Sequence, residues 1–354
     1  MTIEPTSAPT ESATLAYEAA RAHAIVVDLS RRGRVRVTGK DRVDLLQRLT
    51  TNDMKAIAPG QGVVNLFLTN KGRIFELCDI LAFPDHLLVV LASEEAARTV
   101  EWIERYVFME DVVATDVTAE TSLVGIFGRQ AGAVIAASTG LDPGMITGRE
   151  HRAAVIGGVD VVVGGAEPIA GAGFRMLGKR ADQPAIESAL LAAGASAGVR
   201  RADLDVLEIL RIEAGWPAAG HELTEHWNPL EADLRWAVSY TKGCYTGQEV
   251  VARLTTYKKV QHTVRGLRIS GAAVPGPASK VRRGEAEVGQ VTSAAWSPGV
   301  QGVIALAYLD LAASAPGTTV AVEVAPGQTA AAEVTPLPFP ESGVRPRTED
   351  RGCA

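Results

Sequence analysis

The sequence predicts an α+β protein that ends in a small all-β domain. Two observations carry this. Through roughly the first 250 residues, β-rich runs alternate with stretches of helical apolar period. After Arg253 the helical patterns stop, and short strand candidates stand between Gly and Pro turns. The composition shift at residues 255–261 is the expected domain boundary.

The first strands read at 24–27 (Ala-Ile-Val-Val) and 35–37 (Val-Arg-Val). A helix follows over 40–49, with Val43, Leu45, Leu46 and Leu49 at helical spacing. Thr50, Thr51, Asn52 and Asp53 then form a polar turn. Residues 63–68 and 74–83 read as a hairpin around Asn70-Lys71-Gly72, and 87–91 as a further strand. Ser93 offers an N-cap for a helix running to about Val107, with Glu94 and Glu95 in its first turn. In the middle of the chain, 123–127 and 159–163 read as strands, and 129–137, 183–193 and 204–213 as helices. Beyond the boundary, 264–269, 286–291, 303–309 and 319–324 read as strands. The expected organisation is a disordered tail over 1–14, a folded region over 15–254, an all-β domain over 258–335 and a second tail over 336–354.

Composition narrows the function. The 354 residues carry 35 Lys and Arg against 41 Asp and Glu, a net charge of −6. A mild acidic excess argues against direct nucleic-acid binding, which needs clustered cations. One stretch runs the other way: eight basic residues and no acid lie between Val250 and Gly284, which suits an anionic partner or a solvated strand face. The N-terminus lacks a basic and then apolar leader. The longest uncharged stretch, 288–309, is broken by Gly, Pro, Gln and Ser, a poor membrane span. Cys78, Cys244 and Cys353 are too few and scattered for a disulfide framework or zinc spacing, which fits a reducing, cytoplasmic setting. His221 and His226, five apart, are wrongly spaced for two ligands on one helical face.

The richest string is Lys242-Gly243-Cys244-Tyr245-Thr246-Gly247-Gln248-Glu249. Its glycines allow positive φ and close backbone approach. A lysine converging on the cysteine would favour thiolate. The opposing reading is a small buried cysteine in a structural loop.

As a whole, 242–253 (K-G-C-Y-T-G-Q-E-V-V-A-R) resembles the signature of the YgfZ-type folate-binding proteins, relatives of the glycine-cleavage T protein, an aminomethyltransferase. Residues 35–53, 70–73 and 210–215 resemble further segments of that superfamily, in the expected order. The resemblance spans about residues 20–335. It implies two intertwined α/β lobes around a central folate channel and a C-terminal β-barrel. It also implies a bound tetrahydrofolate or one-carbon derivative.

Site residues follow from the same resemblance. Glu213 matches a pterin-binding glutamate, able to accept two hydrogen bonds from the amino-pyrimidine edge. Asp53 matches a carboxylate beside the reacting folate nitrogen, and otherwise reads as a turn residue. Cys244 is the feature that the T protein lacks, and a functional thiol is implied. Lys242 would tune it or bind the folate's glutamate tail. Tyr245 would stack or pack, and Arg253 would bind a tail carboxylate or end its element. Gln248 and Glu249 read as loop supports, and Trp216, Trp227 and Trp236 as core.

Three functions stay open. The first is a folate-dependent accessory factor for iron–sulfur proteins, including those that modify transfer RNA, partnered by such proteins or their assembly factors. Three scattered cysteines cannot hold a four-thiolate cluster, so the chain would assist a cluster rather than house one. The second is an aminomethyltransferase. The third and weakest is a transfer-RNA binder.

Overall fold

The computed structural model describes residues 10–257 and 259–344. Three layers of strands organise the chain. A six-stranded sheet has the order Arg200–Arg201, Ile25–Asp28, Thr121–Phe127, Gly173–Lys179, Val159–Gly165 and His151–Ile156. A five-stranded sheet has the order Gly62–Leu68, Ile74–Ala82, Leu87–Leu91, Arg34–Thr38 and Val113–Asp116. Six further strands, from His262–Ile269 to Gln328–Thr335, close into a barrel.

The two lobes are intertwined, because the chain changes sheet repeatedly. Ile25–Asp28 belongs to the first sheet and Arg34–Thr38 to the second; Val113–Asp116 belongs to the second and Thr121–Phe127 to the first. Helices Arg42–Leu49 and Ala96–Glu104 cover one face of the five-stranded sheet through Leu45, Leu46, Leu49, Trp102 and Ile103. Helices Ala131–Thr139 and Gln183–Ala193 cover the other sheet through Val134, Ile135, Ile186 and Leu190. The remaining sheet faces, helix Leu204–Glu213 and one side of the barrel share the central apolar cluster.

The structure corrects several local expectations. Residues 11–14, read as tail, are the first turn of helix Glu11–Ala22, capped by Thr10, whose hydroxyl accepts from Ala13 N at 3.2 Å. Burial of Ala16, Tyr17, Ala19 and Ala20 holds that helix down. The second tail is also partly folded: Phe339 is fully buried, and its N–H donates to Glu213 O at 2.8 Å. Residues 1–9 and 345–354 lie outside the described residues. Ser93 is not the helix cap. The helix starts at Ala96, and Ser93 Oγ instead binds buried Glu76 and accepts from Glu95 N. Helical structure does not stop at Arg253, since Gln248–Thr256 is a helix.

Candidate functional site

Two regions bring functional side chains together. The first is a cavity of about 210 Å3 between the lobes. Strands Ile74–Ala82 and Leu87–Leu91, helix Leu204–Glu213 and the segments around residues 167–169 and 216–218 line it. Val90, Leu91, Ile169 and Leu207 supply apolar wall, and Trp216 an aromatic one.

Its polar groups are charged and held in place. Strand alternation turns Leu77 and Leu81 toward the central cluster and Cys78 and Ile80 into the lobe's own core, so Asp79 faces the centre. Arg149 Nε donates to Asp79 Oδ1 at 2.6 Å, and Arg175 binds its other oxygen. Burial would raise the Asp79 pKa, yet the two guanidinium groups hold it below the usual carboxylate range. Glu167, 3% exposed, has its Oε1 at 2.6 Å from Arg32 Nη1. The contact is a charge pair off the N–H direction, because that oxygen has no hydrogen-bond donor. Burial opposes ionisation there too, and Arg32, Arg175 and Arg149 outweigh it, bringing Glu167 to about 2.

Glu208 completes the carboxylates, paired with Arg211 at 2.8 Å from Nε to Oε2. Arg211 also reaches the barrel: Nη1 donates to Glu222 Oε2 at 2.9 Å and Nη2 to Ser293 Oγ at 2.6 Å. Thr292 Oγ1 donates to Glu222 Oε1 at 2.5 Å. The cavity wall is thereby tied to the C-terminal domain. Among the described residues no group of His, Cys, Asp and Glu could hold a metal ion.

The second region is the 242–249 loop, seated on the 50–53 turn. Lys242 is buried, and its ammonium donates to Thr50 O and Asn52 O, each at 2.7 Å. Thr50 is the C-cap of helix Arg42–Leu49, so a cation meets the carbonyl end of that helix. Burial lowers the Lys242 pKa to about 8, against the opposing pull of Asp53. The buried ring of Tyr245 lies 5.4 Å from the ammonium, and burial raises its hydroxyl to about 12. Thr246 N donates to Arg48 O at 3.0 Å. Gly247 has φ +83°, and a Cβ there would lie 2.7 Å from Thr69 O, which explains a glycine facing the Asn70-Lys71-Gly72 turn. Between these anchors Cys244 is exposed and free.

Of the residues singled out by sequence, Lys242, Asp53, Tyr245 and Cys244 belong to this one region. Arg253 is exposed on helix Gln248–Thr256. Glu213 lies elsewhere and does not line the cavity. Its Oε1 accepts from Tyr17 Oη at 2.7 Å and Ser297 Oγ at 2.5 Å, and Arg21 Nη1 is 3.7 Å from Oε2. It braces the first helix against the barrel, and burial raises its pKa. Sequence reasoning missed Asp79, Glu167 and Glu208; the only signal was the pair of acids, Glu76 and Asp79, inside the apolar run at 74–83.

The weaker ideas are absorbed by structure. His221 Nδ1 lies 3.0 Å from Thr292 O, and Glu222 is in the Arg211 network. In the basic stretch, Arg268 pairs with Glu341 at 2.5 Å and Lys280 with Glu287 at 2.9 Å. Lys258 is outside the described residues. A wider cavity of about 380 Å3, lined by Arg21 and Arg129, has no carboxylate or thiol in its wall, so the interlobe cavity is the better candidate.

Two lobes crossed by an exchanged chain, a charged cavity between them and an appended barrel define a protein of the glycine-cleavage T-protein class. The chain belongs to that family: residues 7–242 match the GCVT N-terminal domain, and 263–340 the glycine cleavage T-protein C-terminal barrel domain. A chloroplastic protein of Arabidopsis thaliana, provisionally named a transferase, is 32% identical over 302 residues, covering 84% of this chain and 68% of that one. An aminomethyltransferase of Symbiobacterium thermophilum is 30% identical, covering 86% of this chain and 84% of its own length. The fold is similar to that of the glycine cleavage system aminomethyltransferase T from Bartonella henselae, with TM-score 0.83, 22% identity, and 94% and 90% of the two chains covered.

Proposed function

We propose that this chain binds a reduced folate between its lobes and assists the assembly or repair of iron–sulfur clusters, with Cys244 as the working thiol. The observation that carries the reading is the thiol's setting: Cys244 is exposed, while Lys242 and Tyr245 on either side are buried. A cysteine kept only for packing would be inside. Family membership supports tetrahydrofolate or a one-carbon derivative as the ligand.

The cavity suits part of such a molecule. At about 210 Å3 it is smaller than the roughly 300–1,000 Å3 of a whole-ligand pocket, so it takes the bicyclic ring and leaves the tail outside. Apolar walls beside anionic carboxylates fit a flat heterocycle rich in N–H donors. A bound folate supplies one-carbon chemistry; the chain binds and orients it and screens it from water. The protein partners would be iron–sulfur proteins or their assembly factors. Among the described residues no helix is long and apolar enough to cross a membrane, and free thiols suit a reducing compartment such as the cytoplasm.

The test is complementation. Deleting the gene should lower the activity of iron–sulfur enzymes, and Cys244→Ala should not restore it. Full restoration by that variant removes the thiol role.

A second reading is tetrahydrofolate-dependent aminomethyl transfer. It is supported by aminomethyltransferases at 28–30% identity that align over most of their length. Formation of methylene-tetrahydrofolate with purified glycine-cleavage partners would establish it, and absence of turnover would exclude it. A role as a transfer-RNA binder has least support, since pairing with acids uses up part of the basic stretch.

A further inference from the structure

We infer that the cavity between the end of the first helix and the 128–130 turn is an anion site, which takes a small organic molecule through its phosphate or carboxylate group. This site is separate from the interlobe cavity and does not depend on the folate reading.

Separated pieces of chain build it. Arg21 and Ala22 end helix Glu11–Ala22, and Arg129 stands just before helix Ala131–Thr139. Residues 170–171 and 342–343 supply the rest of the wall. The backbone under Arg129 is fixed on both sides: Gly128 N donates to Ala172 O at 3.0 Å, and Gln130 N to His23 O at 2.9 Å. Gly128 has φ +134°, and a Cβ there would lie 2.5 Å from His23 O, so glycine lets this turn sit against the end of the first helix.

Charge is unbalanced around the cavity. Arg21 donates to the carbonyl oxygens of Glu341 and Ser342, and its Nη1 lies 3.7 Å from Glu213 Oε2. The Glu341 carboxylate is paired with Arg268 at 2.5 Å. Neither acid lines the cavity. Arg129 is exposed and, among the described residues, has no hydrogen bond or ion pair. Both neighbouring acids are thus engaged by other arginines, and Arg129 is the cation left over.

The volume of about 380 Å3 falls within the roughly 300–1,000 Å3 of small-molecule pockets, more than a bare oxyanion fills. Ala22 and Ala170 give apolar wall for a carbon skeleton. A guanidinium presents a planar fork of N–H donors that matches phosphate or carboxylate oxygens. A neutral or cationic ligand gains nothing from Arg129.

The experiment treats the full chain with phenylglyoxal, which modifies free guanidinium groups, and follows each arginine by mass spectrometry with and without inorganic pyrophosphate or succinate. Arg36, exposed on the five-stranded sheet, is the control. An anion in the site should slow modification of Arg129 by about tenfold or more and leave Arg36 unchanged. Whichever anion does so at the lower concentration identifies the group as phosphate or carboxylate. Calorimetry with that anion should show binding that Arg129→Gln weakens by about ten- to a hundredfold, the range of a charge-assisted pair. The variant should melt with wild type, because Arg129 has no bond to lose. Protection of neither arginine, equal protection of both, or unchanged binding in Arg129→Gln each overturns the assignment. If Arg129→Gln does not fold, the footprint on wild type decides alone.

Discussion

Lys242 Nζ stands 2.7 Å from the carbonyl oxygen of Thr50, 192 residues earlier in the chain, and so fastens the cysteine loop to the end of a helix. Replacing it by Met leaves the Thr50 and Asn52 carbonyls without this donor, at about 1–3 kcal/mol each, while relieving a buried charge. The expected net loss is about 1–3 kcal/mol, read from urea unfolding. The sign with pH follows from the lowered pKa of about 8. Between about pH 8 and the unfolded value of 10.5, the unfolded chain holds the proton that the folded chain has released. Wild-type stability relative to Lys242→Met should therefore rise across that window. A flat difference would mean that the ammonium is not buried.

Cys244 and Cys78 should separate by reactivity. Cys244 is exposed, whereas Cys78 is fully enclosed and burial raises its thiol pKa well above the ordinary range. An aromatic disulfide reagent should titrate one thiol fewer in native Cys244→Ala than in native wild type. Native Cys78→Ala should titrate the same number as wild type. Equal native counts for wild type and Cys244→Ala would contradict the exposed placement.

Gly247→Ala places a methyl group 2.7 Å from Thr69 O at a φ of +83°, so both sterics and backbone strain oppose it. A loss of about 1–3 kcal/mol is expected. Protease sensitivity near residue 247 should increase, because the loop can no longer sit on the 69–72 turn. Unchanged melting and unchanged cleavage would show that the contact is dispensable.

Glu76 makes a pH-dependent contribution of the opposite kind. Burial raises its pKa to about 7, although Ser93 and the Ala92 and Ser93 N–H groups bind it. Its neutral form is favoured in the folded chain. That stabilisation is complete below about pH 4.5 and is lost as pH rises through about 7. Glu76→Gln should therefore gain on wild type between pH 4.5 and 7.5, by an amount of order 3 kcal/mol at most. Parallel melting curves across that range would refute it.

Glu213→Ala tests bracing against ligand contact. The variant removes the acceptor for Tyr17 and Ser297, so about 2–4 kcal/mol of stability should go. Tetrahydrofolate affinity should stay within about threefold, since Glu213 does not line the cavity. A larger loss of affinity in folded protein would return Glu213 to the ligand site.

Much of the local architecture is determined by the sequence alone. Leu45, Leu46 and Leu49 declare a helix and the run at 74–83 a strand, because each signal lies within a dozen neighbouring residues. The turn at Asn70-Lys71-Gly72 was legible for the same reason. What only the tertiary structure decides is which distant residues meet. Asp79 is joined to Arg149 and Arg175, and Arg211 to Glu222 and Ser293, by charges whose spacing along the chain carries no period. The first helix was missed because its short Ala-rich stripe becomes apolar surface only when helix Leu204–Glu213 and strand Ile25–Asp28 pack against it. Glu213 itself shows the limit. Its motif was readable, but the direction of its side chain depends on Tyr17 and Ser297, 196 and 84 residues away. Pairing across such distances is set by how the two sheets exchange strands, which no local pattern encodes.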